Sequence, residues 1–346
     1  MREAPMQGAI HLSLQREPDA NLAAEIQGRK HVTVFVLNAG DDRVLGLGSR
    51  SVRSLYVNGK VHSVGYLSQL RAQPGRNGLR RLSAGYKAIE QSRGDEEYSC
   101  DLTSIIEDNT VALRMLERGL PGLPDYRSLT RLTTFVIPTC SRVSSSRHKV
   151  ECAGAEDLRH IVSCLQNYLS QYQFSPYWDE QMIQDRSLCN NLSVNDFLII
   201  RDGEKISASV AVWDQRNFKQ VIVNGYSRTL SSIRPLLNIP LFLLGKPRLP
   251  TVPSELNLAY LSHLAVENND PEKFRDLIRM ARLAAAKRGI DYLALGLTTV
   301  HPLHRVLSRS FPSYQYSSKL YTVHWDKRTM SDQLHGRIPH VEVAVL

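Results

Sequence analysis

The 346-residue chain has few cysteines, and they are poorly spaced for cross-linking. Cys100, Cys140, Cys152, Cys164 and Cys189 are odd in number and include no C-x-x-C pair. That excludes a disulfide framework and a thiolate zinc site and points to reduced thiols. No apolar stretch reaches the roughly 18 residues that a transmembrane helix needs. The longest, Ile239-Pro240-Leu241-Phe242-Leu243-Leu244, reads as a short buried segment. Met1-Arg2-Glu3-Ala4-Pro5 has no apolar run of signal-peptide kind after it, so a cytoplasmic protein with no membrane partner is expected. Basic stripes interleaved with aromatics, helix-turn-helix register and finger spacing are also missing, so nucleic acid is not an expected partner. The surplus of 43 Lys and Arg over 34 Asp and Glu, a formal charge of +9, suits a surface receptive to a polyphosphate ligand.

A chain of this length outgrows one ordinary core, and two domains of roughly 150 to 190 residues are expected. Strands are expected at 10–14, 31–37 and 44–47, with a turn at Asn38 to Asp42. Asn58-Gly59 marks a second hairpin, between 54–57 and 61–66, because it supplies the positive φ of a primed turn. A strand at 65–70 then gives way to helical spacing at Leu79, Leu82, Tyr86 and Ile89. A strand at 98–106, a helix at 110–118 between Asn109 and Gly119, and a strand at 132–137 follow. Thr139 to His148 is polar, contains Ser144-Ser145-Ser146, and reads as an interdomain linker.

The second half echoes the first. Tyr66-Leu67-Ser68-Gln69-Leu70 returns as Tyr260-Leu261-Ser262-His263-Leu264, 194 residues later. Each copy precedes an amphipathic helix, a strand and a short helix, the second set being 274–285, 292–297 and 303–310. His301 and His304 lack a third ligand and read as polar or capping residues.

Leu70-Arg71-Ala72-Gln73-Pro74-Gly75-Arg76-Asn77-Gly78-Leu79-Arg80-Arg81-Leu82 resembles motif A of the GNAT N-acetyltransferase superfamily. There a strand runs into an Arg/Gln-x-x-Gly-x-Gly/Ala pyrophosphate loop. Ser104-Ile105-Ile106-Glu107-Asp108-Asn109-Thr110-Val111-Ala112 resembles the motif B region. The resemblance implies an α/β fold of two tandem acyl-CoA N-acyltransferase-like domains, each a mixed, mostly antiparallel twisted sheet flanked by helices. Residues 1–145 would hold acetyl-CoA, 150–330 would be a degenerate copy, and 331–346 a C-terminal tail.

The resemblance also implies which residues hold acetyl-CoA, the acyl-donor substrate. Leu70, Arg71 and Ala72 form the strand edge; Arg76, Asn77, Gly78, Leu79, Arg80 and Arg81 form the loop and helix start; Asn109 and Ala112 come from motif B. Unpaired N–H groups and the positive dipole end at a helix start favour a pyrophosphate, and arginines add charge-assisted bonds. The second half has Glu267-Asn268-Asn269-Asp270-Pro271-Glu272 at the matching place, which repels pyrophosphate.

Leu116 stands where many family members carry the tyrosine that protonates the departing thiolate. Tyr126 is the expected substitute, and Glu107 the nearest carboxylate able to take the amine's proton through water. Each also reads as an ordinary structural or surface residue. The implied reaction is acetyl transfer to a primary amine of a small molecule or protein, with a homodimer left open. The alternative is a noncatalytic acyl-CoA-binding regulatory or scaffolding protein.

Overall fold

The computed structural model describes residues 10–38, 40–73, 77–142, 146–243, 248–325 and 334–346. In chain order the elements are β1 (Ile10–Gln15), α1 (Ala20–Gln27), β2 (Lys30–Leu37), β3 (Val44–Val57), β4 (Lys60–Ala72), α2 (Gly78–Gln91), β5 (Cys100–Ile106), α3 (Thr110–Leu116) and β6 (Asp125–Pro138). They continue with β7 (Val150–Cys152), α4 (Leu158–Leu169), α5 (Glu180–Gln184), β8 (Phe197–Asp202), β9 (Lys205–Trp213), β10 (Gln220–Tyr226), α6 (Arg228–Leu243) and β11 (Ser254–Glu255). Last come β12 (Leu258–Val266), α7 (Pro271–Lys287), β13 (Tyr292–Thr298), α8 (Pro302–Ser310) and β14 (Tyr314–His324).

Local chemistry accounts for most of these boundaries. Asn58 and Gly59 have φ of 54° and 84°, and their turn pairs Val57 with Lys60. The two short strands expected around residues 44–57 are the ends of one long strand, β3, hydrogen-bonded along β4. Asp270 caps α7 by accepting from the amides of Glu272 and Lys273, with Pro271 in the first turn. Phe274, Leu277, Ile278, Ala281 and Ala285 of that helix form its buried stripe.

Among the described residues eleven strands join in one sheet, ordered β2-β3-β4-β5-β14-β6-β13-β12-β9-β8-β7. Its pairings are antiparallel except β4 with β5 and β12 with β13. It is thus a mixed, mostly antiparallel sheet flanked by helices. One face packs α2 and α3 around Leu67, Tyr86 and Leu116, and α7 and α8 around Phe135, Phe274 and Leu303. The other face packs α1, α4, α5 and the C-terminal residues. A second sheet, β1-β10-β11, lies apart from the first.

The large sheet runs without a break past the expected boundary near residue 145. β14 lies between β5 and β6, while β6 lies between β14 and β13. The ends of the expected linker are pinned: Thr139 donates from N and Oγ1 to the carbonyls of Asp291 and Ile290, and the amides of Arg147 and His148 donate to Asp276 Oδ2. Ser144 and Ser145 lie outside the described residues.

One expectation is overturned. In the apolar run beginning at Ile239, expected to be buried, Ile239 is 58% and Leu243 76% exposed; the side chains of Leu241 and Phe242, and Leu244, lie outside the described residues. The reason is tertiary, since the inward face of α6 carries polar side chains.

A buried ion cluster ties β3 to β5 across β4. Arg50 donates from Nε and Nη2 to both oxygens of Asp101 (2.8 and 2.7 Å) and from Nη2 to Glu97 (2.6 Å). Trp325 Nε1 also donates to Asp101, at 2.9 Å. Gly65 on β4 makes room, because a Cβ there would lie 2.1 Å from Asp101 Oδ1 and 2.4 Å from Arg50 Nη2. Removing the cation from such a site strands two buried carboxylates. Arg50→Met is therefore expected to cost about 3–5 kcal/mol of unfolding free energy in urea titrations. A loss below about 1 kcal/mol would mean that water reaches the cluster.

Candidate functional site

The features expected to bind coenzyme A begin at a bulge in β4. Its pairing with β3 shifts between Ser68 and Arg71, and Gln69 within the shift has φ of 57°. The parallel ladder from β4 to β5 consists of Tyr66 with Leu102 and Leu67 with Thr103, and Thr103 Oγ1 closes it by donating to the Leu67 carbonyl at 2.9 Å. Beyond that point β4 continues along β3 while the β5 side opens. Gly48 permits this packing, since a Cβ there would meet Leu70 Cδ2 at 2.8 Å.

The β4 strand then leads to α2. Asn77 is its N-cap and makes no side-chain capping bond, and the first turn has no acidic residue. Arg80 and Arg81 stand there instead, against the helix dipole, an arrangement that a bound anion would offset. Leu70, Arg71 and Arg81 line one cavity between α2 and the sheet, together with Val36, Leu47 and Leu82. Ala72, Asn77 and Leu79 are exposed and Gly78 is half-buried at the same end of the helix. Arg76 lies outside the described residues.

Asn109 and Ala112 meet each other: Asn109 Oδ1 caps α3 by accepting from the Ala112 amide at 3.2 Å. Leu116 is buried against α2. Glu107, just past β5, accepts from Arg131 Nε at 2.7 Å, and its amide donates to the Ser317 carbonyl. Tyr126 is not on a loop. It sits in β6 within the α2 core, its hydroxyl 2.6 Å from that of Tyr86. Burial, then the Tyr86 ring, holds its phenol well above the ordinary range. Glu107 and Tyr126 are thus held by separate partners.

A polar cluster that the sequence reading did not single out lies at the bulge. Tyr66 Oη is 2.7 Å from Ser104 Oγ, joining β4 to β5 at the end of their ladder. Arg16 reaches the same place from the segment after β1, with Nε 2.9 Å from the Gln69 side-chain oxygen and Nη2 3.4 Å from Ser68 Oγ. Burial pulls Arg16 down to about 10, opposed by Tyr66. Burial also raises Tyr66, while the Ser104 hydrogen bonds and the Arg16 charge lower it. The signal available in sequence was the repeated pentapeptide, whose Tyr66 and Ser68 alternate with Leu67.

The repeated pentapeptide in β12 carries the same geometry. The register with β9 shifts between Ser262 and Ala265, His263 has φ of 52°, and the parallel ladder with β13 stops at Tyr260 and Ala294. Here the chain's own C-terminal segment enters the opening. His340, Val341, Glu342 and Val343 adjoin Leu261, Leu264, Leu295 and Gly296. The Thr298 hydroxyl donates to the Pro339 carbonyl at 2.7 Å, and a Cβ on Gly296 would lie 2.3 Å from Val343 Cγ1. Lys219 donates to the carbonyl oxygens of Val343 and Leu346, each at 3.2 Å. The His263 amide donates to Glu342 Oε1 at 3.1 Å. Burial, then the Arg53 charge, lowers His263 to about 3, and burial raises Glu342 to about 7 despite its His263 bond. His301 caps α8, its Nδ1 accepting from the Leu303 amide, and His304 meets Thr133.

No protein-family model and no curated protein matches the sequence. In fold the chain is similar to a GCN5-related N-acetyltransferase from Sphaerobacter thermophilus, at 12% identity and TM-score 0.51, over 84% of this chain and 79% of that one. It is similar to Saccharomyces cerevisiae N-myristoyltransferase with bound myristoyl-CoA, at 11% identity and TM-score 0.54, over 91% and 71%. A GCN5-related glucosamine N-acetyltransferase region of a fungal multi-domain β-N-acetylglucosaminidase gives 11% and 0.55, over 88% of this chain but 34% of that one. At these identities the likeness is one of fold alone: a mixed, mostly antiparallel sheet flanked by helices.

Glu342 makes the filled opening testable. Its carboxyl is raised from 4.5 to about 7. Well below pH 4.5 it is protonated whether the chain is folded or unfolded. As pH rises from there to about 7, only the unfolded chain ionises, so stability is lost across that window. Glu342→Gln is expected to flatten the melting-temperature profile there and to melt above the parent at pH 8. An unchanged slope would show that Glu342 is ionised in place.

Proposed function

We propose that the chain is an acyl-CoA-dependent transferase whose first half binds the acyl donor and passes the acyl group to a primary amine of a small molecule or protein. The observation that carries this reading is the bulge at Gln69, which ends the β4–β5 ladder just before a helix start that has arginines and no side-chain cap. The fold likeness supports the same class of chemistry. We read the second half as a tandem copy that does not bind the donor, because its opening is taken by residues 340–343 and its helix start is capped by Asp270.

Acyl-coenzyme A supplies the thioester. Backbone amides at the start of α2, with Arg80 and Arg81 and with Arg76 in the preceding loop, hold its pyrophosphate. The edge Leu70 to Ala72 guides the pantetheine, and a backbone N–H there polarises the thioester carbonyl. The amine nitrogen attacks the carbonyl carbon and the carbon–sulfur bond breaks. Tyr66, neutral and bonded to Ser104, is the proton donor the geometry favours for the leaving thiolate; Tyr126 would act only through Tyr86. Glu107, at the end of β5 and held by Arg131, takes the amine's proton through water.

Leu116 in the core favours a second reading, a noncatalytic acyl-CoA binder. Calorimetry with acetyl-CoA and longer acyl-CoAs, followed by thiol release across an amine panel, separates the two. Saturable binding is expected, weakened about a hundredfold or more by Arg80→Ala with Arg81→Ala, each charge-assisted bond contributing about 1.5 kcal/mol or more. Thiol release that depends on amine supports transfer, and Tyr66→Phe should lower its rate by about 10²-fold with donor binding retained. Binding without release assigns the regulatory role; no binding removes both readings.

A further inference from the structure

The helix α6 is amphipathic with its polarity reversed. Leu230, Arg234 and Asn238 recur every four residues on its inward face. Arg234 lies over the Tyr226 ring at 5.5 Å, and Asn238 exchanges hydrogen bonds with the Leu249 backbone at 2.8 and 3.0 Å. At 100° per residue the opposite face carries Leu236, Ile239 and Leu243, which are 68%, 58% and 76% exposed. Ile233, 42% exposed, flanks this stripe. An outward aliphatic stripe over a polar inner face gives a helix that packs poorly as core and well against something apolar outside.

Along the chain the exposed charge flanking α6 is basic, although Arg216 is paired with Asp214, Lys219 is held by the C-terminal carbonyls and Arg234 faces inward. Residues 215–254 contain no Asp or Glu and six Lys or Arg, in a chain with 34 acidic residues overall. Arg228 at the start of α6 and Arg248 beyond its end are both exposed. Its 16 residues span about 24 Å, short of the roughly 30 Å hydrocarbon core, and no helix among the described residues is long and apolar enough to cross a membrane. Among the described side chains the exposed stripe is aliphatic.

We propose that α6 docks the protein onto an anionic lipid surface, lying in the plane of the interface with Leu236, Ile239 and Leu243 among the acyl chains. The sequence by itself predicts no membrane partner; the direction in which the stripe faces is what changes that reading. The surface is separate from the α2 site and does not depend on the chemistry proposed there.

The test is cosedimentation of the full chain with vesicles of phosphatidylcholine containing about a third phosphatidylglycerol, against phosphatidylcholine alone. Binding is expected to the anionic vesicles and to fall as NaCl rises from about 0.1 to 0.5 M. Replacing Leu236, Ile239 and Leu243 together by Asp is expected to lower the bound fraction about tenfold or more. Circular dichroism should show an unchanged fold, the three positions being exposed. If that variant misfolds, Leu236→Trp alone decides: its emission should shift to the blue on adding anionic vesicles. Absence of binding, equal binding by the triple variant, or an unshifted tryptophan overturns the proposal. Self-association in sedimentation velocity that the triple variant abolishes, with no vesicle binding, assigns the stripe to a second copy and overturns it as well.

Discussion

The antiparallel ladder between β6 and β14 is the joint on which the rest of the molecule hangs. It runs from Tyr314 paired with Val136 to His324 paired with Asp125. Each strand also hydrogen-bonds the other half: β14 to β5, and β6 to β13. Either half without its partner would present unpaired backbone at the centre of its own sheet, where each lost bond leaves a donor and an acceptor to be satisfied elsewhere. Outward from this ladder, each side meets an antiparallel strand and then a parallel pair. That arrangement sets the two parallel openings, at β4–β5 and β12–β13, at equivalent places.

The two openings share a cause and differ in content. In both, a residue held at positive φ shifts the register of the inner strand by a bulge and ends the parallel ladder a few residues earlier. Gln69 and His263 occupy the same position in the repeated pentapeptide. The first opening leads to a helix start with arginines in its first turn. The second is closed by the C-terminal segment, which fits because Gly296 has no Cβ and because burial raises the Glu342 carboxyl to about 7.

The buried cluster of Arg50, Asp101 and Glu97 belongs to the same logic. It fixes β5 against β3 and leaves Gly65 as the only contribution of β4 at that level, so the parallel pair is held firmly below the opening. Tyr66 and Ser104 lie just above, where rigid strands present paired hydroxyls and an arginine to whatever enters. Proximity of this kind is what a transfer reaction requires of its scaffold.

Short-range chemistry was readable from the sequence. The Asn58-Gly59 turn, the Asn109 and Asp270 caps, the stripe of α7 and the repeated pentapeptide all depend on residues within a few positions of one another, and all are found in the fold; of the α2 stripe Tyr86 and Ile89 are buried while Leu79 is exposed. The likeness to GNAT acyltransferases rested on such local motifs together with their order. The polar cluster of Arg16, Tyr66, Gln69 and Ser104 was not readable, because it unites three segments separated by 38 and 52 residues. Nor was the placing of Tyr126 against Tyr86, or the exchange of β6 and β14, since a strand's sequence specifies its two faces but not its neighbours. The run from Ile239 was read as buried because its composition is apolar. Only the tertiary structure, by turning Arg234 and Asn238 inward, decided that Ile239 and Leu243 face outward: hydrophobicity tells which side chains avoid water, and packing decides what surface is left to cover them.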